Sequence, residues 1–182
     1  MSVHEISVTA YIALGSNLGH NDDGPAEQIA RALLALHDLP QTRLVRQSSL
    51  YKSPPDGYTE QPDFINAVAE LRTHLGPQVL LRELLKIELR FGRQRLFRNA
   101  PRTLDLDLLL HGEHCLHEPG LTLPHPRMHS RPFVLIPLLE IAPHLSLPGH
   151  GALRALIHPQ HRDQVHSIHP NTERHDVSTQ AA

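Results

Sequence analysis

The chain contains no tryptophan, only three tyrosines and four phenylalanines, and a formal net charge of -2. A β-sheet that binds nucleic acid needs exposed aromatic platforms and a basic surface. Neither is in good supply, which argues against a general nucleic-acid binder. Cysteine occurs once, at Cys115, which rules out an internal disulfide and gives no sign of an oxidising compartment. No apolar run reaches about 18 residues, so no membrane-spanning helix is expected. The opening "MSVHEISVTAYIALGSN" lacks a basic stretch followed by an apolar one, so the expected location is the cytoplasm. The phosphate-cradling patterns GxxxxGK[ST] and GxGxxG are missing as well, so any ATP site must be of another design.

What is present describes a soluble globular chain. Hydrophobic residues make up 40% and charged residues 20% of 182 positions, which suits one domain with a real core. Lysine occurs only at Lys52 and Lys86, so arginine supplies the remainder of the 17 basic side chains. The guanidinium fork matches phosphate oxygens better than an ammonium does. Histidine is abundant at 16, with several from His144 onward and a run of His111, His114 and His117 around Cys115. That run suits a transition-metal site less well than it suits a turn with scattered histidines.

Hydrophobic periodicity orders the elements. Strands are expected over 6–17, 42–53 and 64–73, and from 102 to 110. Helices are expected over 24–40 and 76–92, each opening on a proline at its first turn. The order β-α-β-β-α-β predicts an α+β, ferredoxin-like core. Two additional C-terminal helices are expected within 126–143 and 151–157. The sequence places one domain over 1–157, and reads the polar, aperiodic, His-rich stretch 158–182 as a mobile tail with no part in the site.

"RTLDLDLLL", residues 102–110, poses the chemical question. Side chains alternate along a strand, so Leu104, Leu106 and Leu108 enter a core while Asp105 and Asp107 share the opposite face, roughly 7 Å apart. Two carboxylates held that close repel, unless a divalent cation sits between them. Mg²⁺ accepts one or two carboxylates and fills its shell with water and phosphate oxygens. Just upstream stand Arg90, Arg93, Arg95, Arg98 and Arg102. Arginines and a carboxylate pair together describe a phosphoryl-transfer site. A solvated basic loop paired with an exposed acidic strand is the plainer alternative.

Five stretches in order carry a resemblance to the 6-hydroxymethyl-7,8-dihydropterin pyrophosphokinase family. They are "YIALGSNLG" (11–19), "SSLYKSPPDGYTEQPDFINAV" (48–68), "FGRQR" (91–95), "PRTLDLDLLL" (101–110) and "LTLPHPRMHSRPFVLIPLLEIAP" (121–143). The resemblance implies a folate-pathway enzyme that moves diphosphate from ATP to a pterin alcohol and releases AMP. It implies that Asp105 and Asp107 hold two Mg²⁺ ions and that Arg93 and Arg95 act on the phosphates. Arg98, Arg102, Leu108, Thr122, His125, Pro126 and Arg131 would contact ATP. Ser53, Pro54, Pro55, Asp56, Phe64, Asn66 and Phe133 would hold the pterin, with the ring between Phe64 and Phe133. The partners implied are these two small molecules alone, with no membrane or nucleic acid, acting on a monomer.

The chain departs from the family pattern at several places. Asn99 and Ala100 stand where a tryptophan and a glycine are expected before "PR", Pro126 replaces a tyrosine, and Leu85 replaces a glutamine. These changes weaken or rearrange the expected nucleotide contacts, and a re-purposed paralogue is the second reading. Glu88 is expected only to neutralise a neighbouring arginine. The Gly15-Ser16-Asn17 turn is expected to hold the first strand near the pterin loop. A ferredoxin-like nucleic-acid module is a third reading, disfavoured by acidic residues on a strand expected to be central.

Overall fold

The structure, a computed structural model, describes residues 7–93 and 100–168. It begins with β1 (Val8–Ser16) and α1 (Pro25–His37), followed by β2 (Thr42–Gln47), β3 (Leu50–Ser53) and β4 (Phe64–Thr73). After α2 (Pro77–Arg90) come β5 (Asp105–His111) and a hairpin of β6 (Leu116–Glu118) and β7 (Leu121–Leu123). A 3-10 turn leads into α3 (Pro132–Ile141), then β8 (Ser146–Leu147), β9 (Gly151–Ala152), a second 3-10 turn, α4 (Pro159–Arg162) and β10 (His166–Ile168). The fold is α+β. Its main sheet is six-stranded, ordered β10-β3-β4-β1-β5, with β2 also pairing β4, and every pairing is antiparallel.

The two long helices form where the sequence places them. In both, a glycine in extended conformation precedes a proline, whose fixed φ and missing N–H suit the first turn. Ile29, Ala32, Leu33 and Leu36 of α1 recur at helical spacing, as do Leu80, Leu84 and Ile87 of α2. They pack on one face of the sheet against Ile12, Leu14, Ala67, Ala69, Leu104, Leu106 and Leu108. Leu36 and Leu84 are fully buried there, where trimming a leucine to alanine costs about 2–5 kcal/mol. The opposite face is covered over only part of its area. Val134, Leu135, Leu138 and Ile141 of α3 pack on Val68, Leu109 and Leu110, and the ends of β1, β4 and β5 stay open.

Several expectations need correction. The strand expected over 42–53 breaks at Ser48 and Ser49, because the Ser48 hydroxyl takes the Val68 N–H and Glu140 takes the Ser49 N–H. Residues 151–157 form a short strand and a 3-10 turn, not a helix. Among the described residues β5 is an edge strand; β4 is the central one, with β1 between it and β5. The folded chain also runs beyond Ile157: α4 follows, and β10 joins the main sheet beside β3. Hydrogen bonds to an existing sheet edge order this stretch despite its polar composition.

Candidate active site

The open end of the sheet owes its shape to small residues on β1. Gly15 lies in register between Asn66 of β4 and Asp105 of β5, and Ala13 lies between Val68 and Asp107. A Cβ built on Gly15 would come within 3.5 Å of Asn66 Oδ1 and 3.8 Å of the Phe64 ring. A cleft of about 490 Å³ opens above β1, walled by β4, β5, the turn after β3 and the start of α3.

Asp105 and Asp107 face this cleft together, as alternation requires, but their surroundings differ. Asp105 is ion-paired with Arg93 at 2.7 Å and accepts from Arg102 at 2.8 Å. Asp107 has the Arg131 guanidinium at 3.4 Å and His125 Nε2 at 3.9 Å. Burial, followed by the Asp105 charge, pushes the Asp107 carboxyl above its ordinary range, and His125 and Arg131 only partly oppose this. Burial holds the His125 imidazole below its usual value, so it is a weak counter-charge. The Arg131 Nε is buried with no hydrogen-bond acceptor among the described residues; Asp56 lies 3.6 Å away. A donor left unmet in that way is expensive unless a ligand supplies the acceptor.

Behind Asp105 stands Glu88. It is 2% exposed, accepts the Leu106 N–H at 2.7 Å, and pairs with Arg93. Burial raises its carboxyl to about 7, the Leu106 N–H and Arg93 working against that rise. The expectation that Glu88 neutralises an arginine holds, yet it also bonds the backbone between the two aspartates. Asn17 performs a similar service on the other side. Its amide donates to Gln61 and to the Pro62 carbonyl while its oxygen accepts the Arg102 N–H at 2.9 Å. The loop after β3 and the entry to β5 are thereby tied to one turn.

At the other end of the cleft Phe64 and Phe133 contribute aromatic walls, with Arg102 5.6 Å from the first ring centroid and Arg131 5.5 Å from the second. Asn66, 4% exposed, donates to Ser53 Oγ at 2.9 Å. Ser53, Pro54 and Asp56 complete that end, while Pro55 lies in a smaller neighbouring cleft.

The cleft thus gathers most of the residues expected on sequence grounds. Leu108 is instead buried in the core beneath the sheet. Thr122 contacts His117 across the β6–β7 hairpin, and neither it nor Pro126 forms part of the cleft wall. Arg95 and Arg98 lie outside the described residues, as does Asn99. Ala13 and Arg127 line the cleft unannounced, and Gly15, expected only in a structural turn, lines it from within β1. Arg127 is exposed and has no carboxylate partner among the described residues. Its charge depresses both His125 and Arg131. Its position directly before a buried methionine in a 3-10 turn carries no visible signal. Around Cys115, His111 and His114 bond each other, Leu75 and the His111 carbonyl. No cluster of three or more His, Cys, Asp or Glu suited to a metal occurs among the described residues.

An antiparallel α+β fold with paired carboxylates, converging arginines and two aromatic walls in one cleft is equipped for a phosphorylated ligand beside a flat ring. The chain belongs to the 7,8-dihydro-6-hydroxymethylpterin-pyrophosphokinase (HPPK) family, whose family model matches residues 11–143. It is 54% identical over 147 residues to the 2-amino-4-hydroxy-6-hydroxymethyldihydropteridine pyrophosphokinase of Pseudomonas aeruginosa, covering 81% of this chain and 88% of that one. The Haemophilus influenzae protein of the same name is 50% identical over 150 residues, covering 82% and 91% respectively. Among solved structures, a Plasmodium falciparum HPPK-DHPS triple mutant with pteroate superimposes at a TM-score of 0.68 and 13% identity. That alignment covers 92% of this chain and 48% of the larger protein, and shows the fold alone.

Proposed function

We infer that this chain transfers diphosphate from ATP to the hydroxymethyl group of 6-hydroxymethyl-7,8-dihydropterin and releases AMP, a step of folate biosynthesis. The observation that carries this reading is the cleft itself: Asp105 and Asp107 beside Arg93, Arg102 and Arg131, with Phe64, Asn66 and Phe133 lining the same cleft. Family membership and the identity to named pyrophosphokinases support it.

The pterin oxygen attacks the β-phosphorus of ATP, the bond from that phosphorus to the α-bridging oxygen breaks, and AMP departs with the electron pair. The hydroxyl proton passes to solvent or to a phosphate oxygen. No strong base is needed, because charge stabilisation and alignment supply the rate. Phe64 and Phe133 hold the ring, Asn66 reads its edge with Ser53 and Asp56, and the arginines hold phosphate oxygens bidentately.

The carboxylate pair also fits Mg²⁺. Asp107 is half-buried beside a like charge, and no third acidic or imidazole side chain completes a protein-only cage among the described residues. Such a donor set suits ions whose remaining ligands come from a nucleotide. Asp105 and Asp107 would hold two such ions, which when bound neutralise charge on the phosphates.

In the same reading the core is a ferredoxin-like βαββαβ unit and the enzyme is a cytoplasmic monomer. The antiparallel order β3-β4-β1-β5 with α1 and α2 on one face supports that class of core. The decisive assay is AMP release from Mg-ATP dependent on added 6-hydroxymethyl-7,8-dihydropterin. ADP as the product, or AMP without the pterin, would overturn the reading.

A further inference from the structure

The C-terminal segment lies behind the ring-binding end of the cleft. β10 pairs with β3 as His166↔Lys52, Ser167↔Tyr51 and Ile168↔Leu50. On its other edge β3 pairs with β4 as Tyr51↔Asn66 and Ser53↔Phe64. Four residues of β3 therefore stand between the C-terminal strand and the two residues assigned to the pterin. Just before β10, Val165 is 6% exposed. With Gln164 it faces Pro54, Pro55, Pro132 and Phe133 across a second cleft of about 220 Å³. Ser53, Pro54, Asp56, Arg131 and Phe133 line both clefts, so they form the partition between them.

A partition with open space on both sides holds its shape only if something supports its far side. β3 alone would be a four-residue edge strand running straight into a long loop, which is marginal in water. Pairing on both edges, together with a buried valine, restrains it. A flat ring gains full stacking energy only where both faces are already fixed, because each side chain ordered on binding costs affinity.

We propose that residues 159–168 are a positioning element for the ring-binding half of the cleft, supporting β3, the Pro54–Asp56 turn and Phe133 from behind without touching the ring. The identity of that ring rests on the function proposed above. The segment lies beyond residues 11–143, the span matched by the family model. Of the residues placed at the phosphates only Arg131 belongs to the partition, whereas Arg93, Arg102 and Asp105 line the first cleft alone, so the phosphate end depends on the segment less than the ring-binding end does.

The test uses the full chain with Val165→Asp, which places a charge in a buried position and expels the segment, and Val165→Ala as the mild variant. Affinity for 6-hydroxymethyl-7,8-dihydropterin is measured with Mg²⁺ and a non-hydrolysable ATP analogue present, and affinity for the analogue separately. Amide exchange at Lys52 and Ser53 reports on β3. Val165→Asp should speed that exchange and weaken the pterin by about tenfold, with a much smaller change in nucleotide affinity. Val165→Ala should move both readouts less and in the same direction. Faster exchange with unaltered pterin affinity would overturn the proposal, as would unaltered exchange or an equal loss of both ligands. A parent protein that binds no pterin would refute the proposed substrate, and the exchange data would still decide whether the segment supports β3.

Discussion

Arg93 lies 2.7 Å from Asp105, and Arg102 occupies the other oxygen of the same carboxylate at 2.8 Å. Asp107, two residues on, has no cation among the described residues closer than Arg131 at 3.4 Å. The two aspartates of one motif are thus unequal before any ligand arrives: one is neutralised and the other strained.

Their asparagine variants should separate accordingly. Asp105→Asn strips Arg93 and Arg102 of a shared acceptor and should destabilise the metal-free protein by about 1–3 kcal/mol. Asp107→Asn removes a half-buried charge next to a like charge, and should melt at the parent temperature or above. Both should lower AMP formation by about 10³-fold through loss of a metal carboxylate. Melting curves without metal, paired with the AMP assay, check this; equal destabilisation by the two variants would contradict it.

Glu88 should make stability depend on pH. Its carboxyl titrates near 7 in the folded chain and at an ordinary value near 4.5 when unfolded. Between those values the folded state holds the extra proton, so stability falls as pH rises from about 4.5 to about 7, then levels off. A shift of that size corresponds to about 3 kcal/mol. Glu88→Gln should flatten this slope relative to the parent in denaturant titrations at stepped pH. Parallel slopes would show that Glu88 does not titrate there.

Phe64→Ala and Asn66→Ala should weaken the pterin, each by about 1–3 kcal/mol, and leave Mg-ATP affinity in place. Phe64 lies under Arg102 and Asn66 bonds Ser53, so a small secondary effect on turnover is expected. Calorimetric titration with each ligand distinguishes this from damage to β4, which would cost both.

Arg127→Ala should raise KM for Mg-ATP several-fold with kcat and the pterin KM nearly unchanged, and Arg127→Lys should recover most of the loss. The side chain borders the cleft without a carboxylate partner among the described residues, and its charge is felt by His125 and Arg131. A fall in kcat alone would place it elsewhere in the cycle.

Alternation in "TLDLDLL" made one face of β5 legible as core and the other as chemistry, because burial at period two is a local property of a strand. The proline openings of α1 and α2 were equally plain. Less legible was the inequality of Asp105 and Asp107, since it depends on Arg93 and Glu88 arriving from the end of another helix. Neutralising either aspartate looks equivalent in sequence; among the described residues Asp105 has two close arginines and Asp107 has none nearer than 3.4 Å. The break at Ser48 and Ser49 depends on Glu140, 91 residues away. β10 is a stretch of "HSI" that becomes a strand only because β3 offers it an edge.

The strands of the sheet carry two messages in alternating letters. On β1 and β5 the odd positions, Ala13, Gly15, Asp105 and Asp107, border the cleft, and the even ones, Ile12, Leu14, Leu104, Leu106 and Leu108, fill the core. On β4 the parity is reversed, with Phe64 and Asn66 against Ala67, Ala69 and Leu71. Selection on catalysis and selection on folding therefore act on interleaved residues of the same few strands. Drift in one set leaves the other readable, and a single inserted residue in any of these strands would exchange the two sets and abolish both at once.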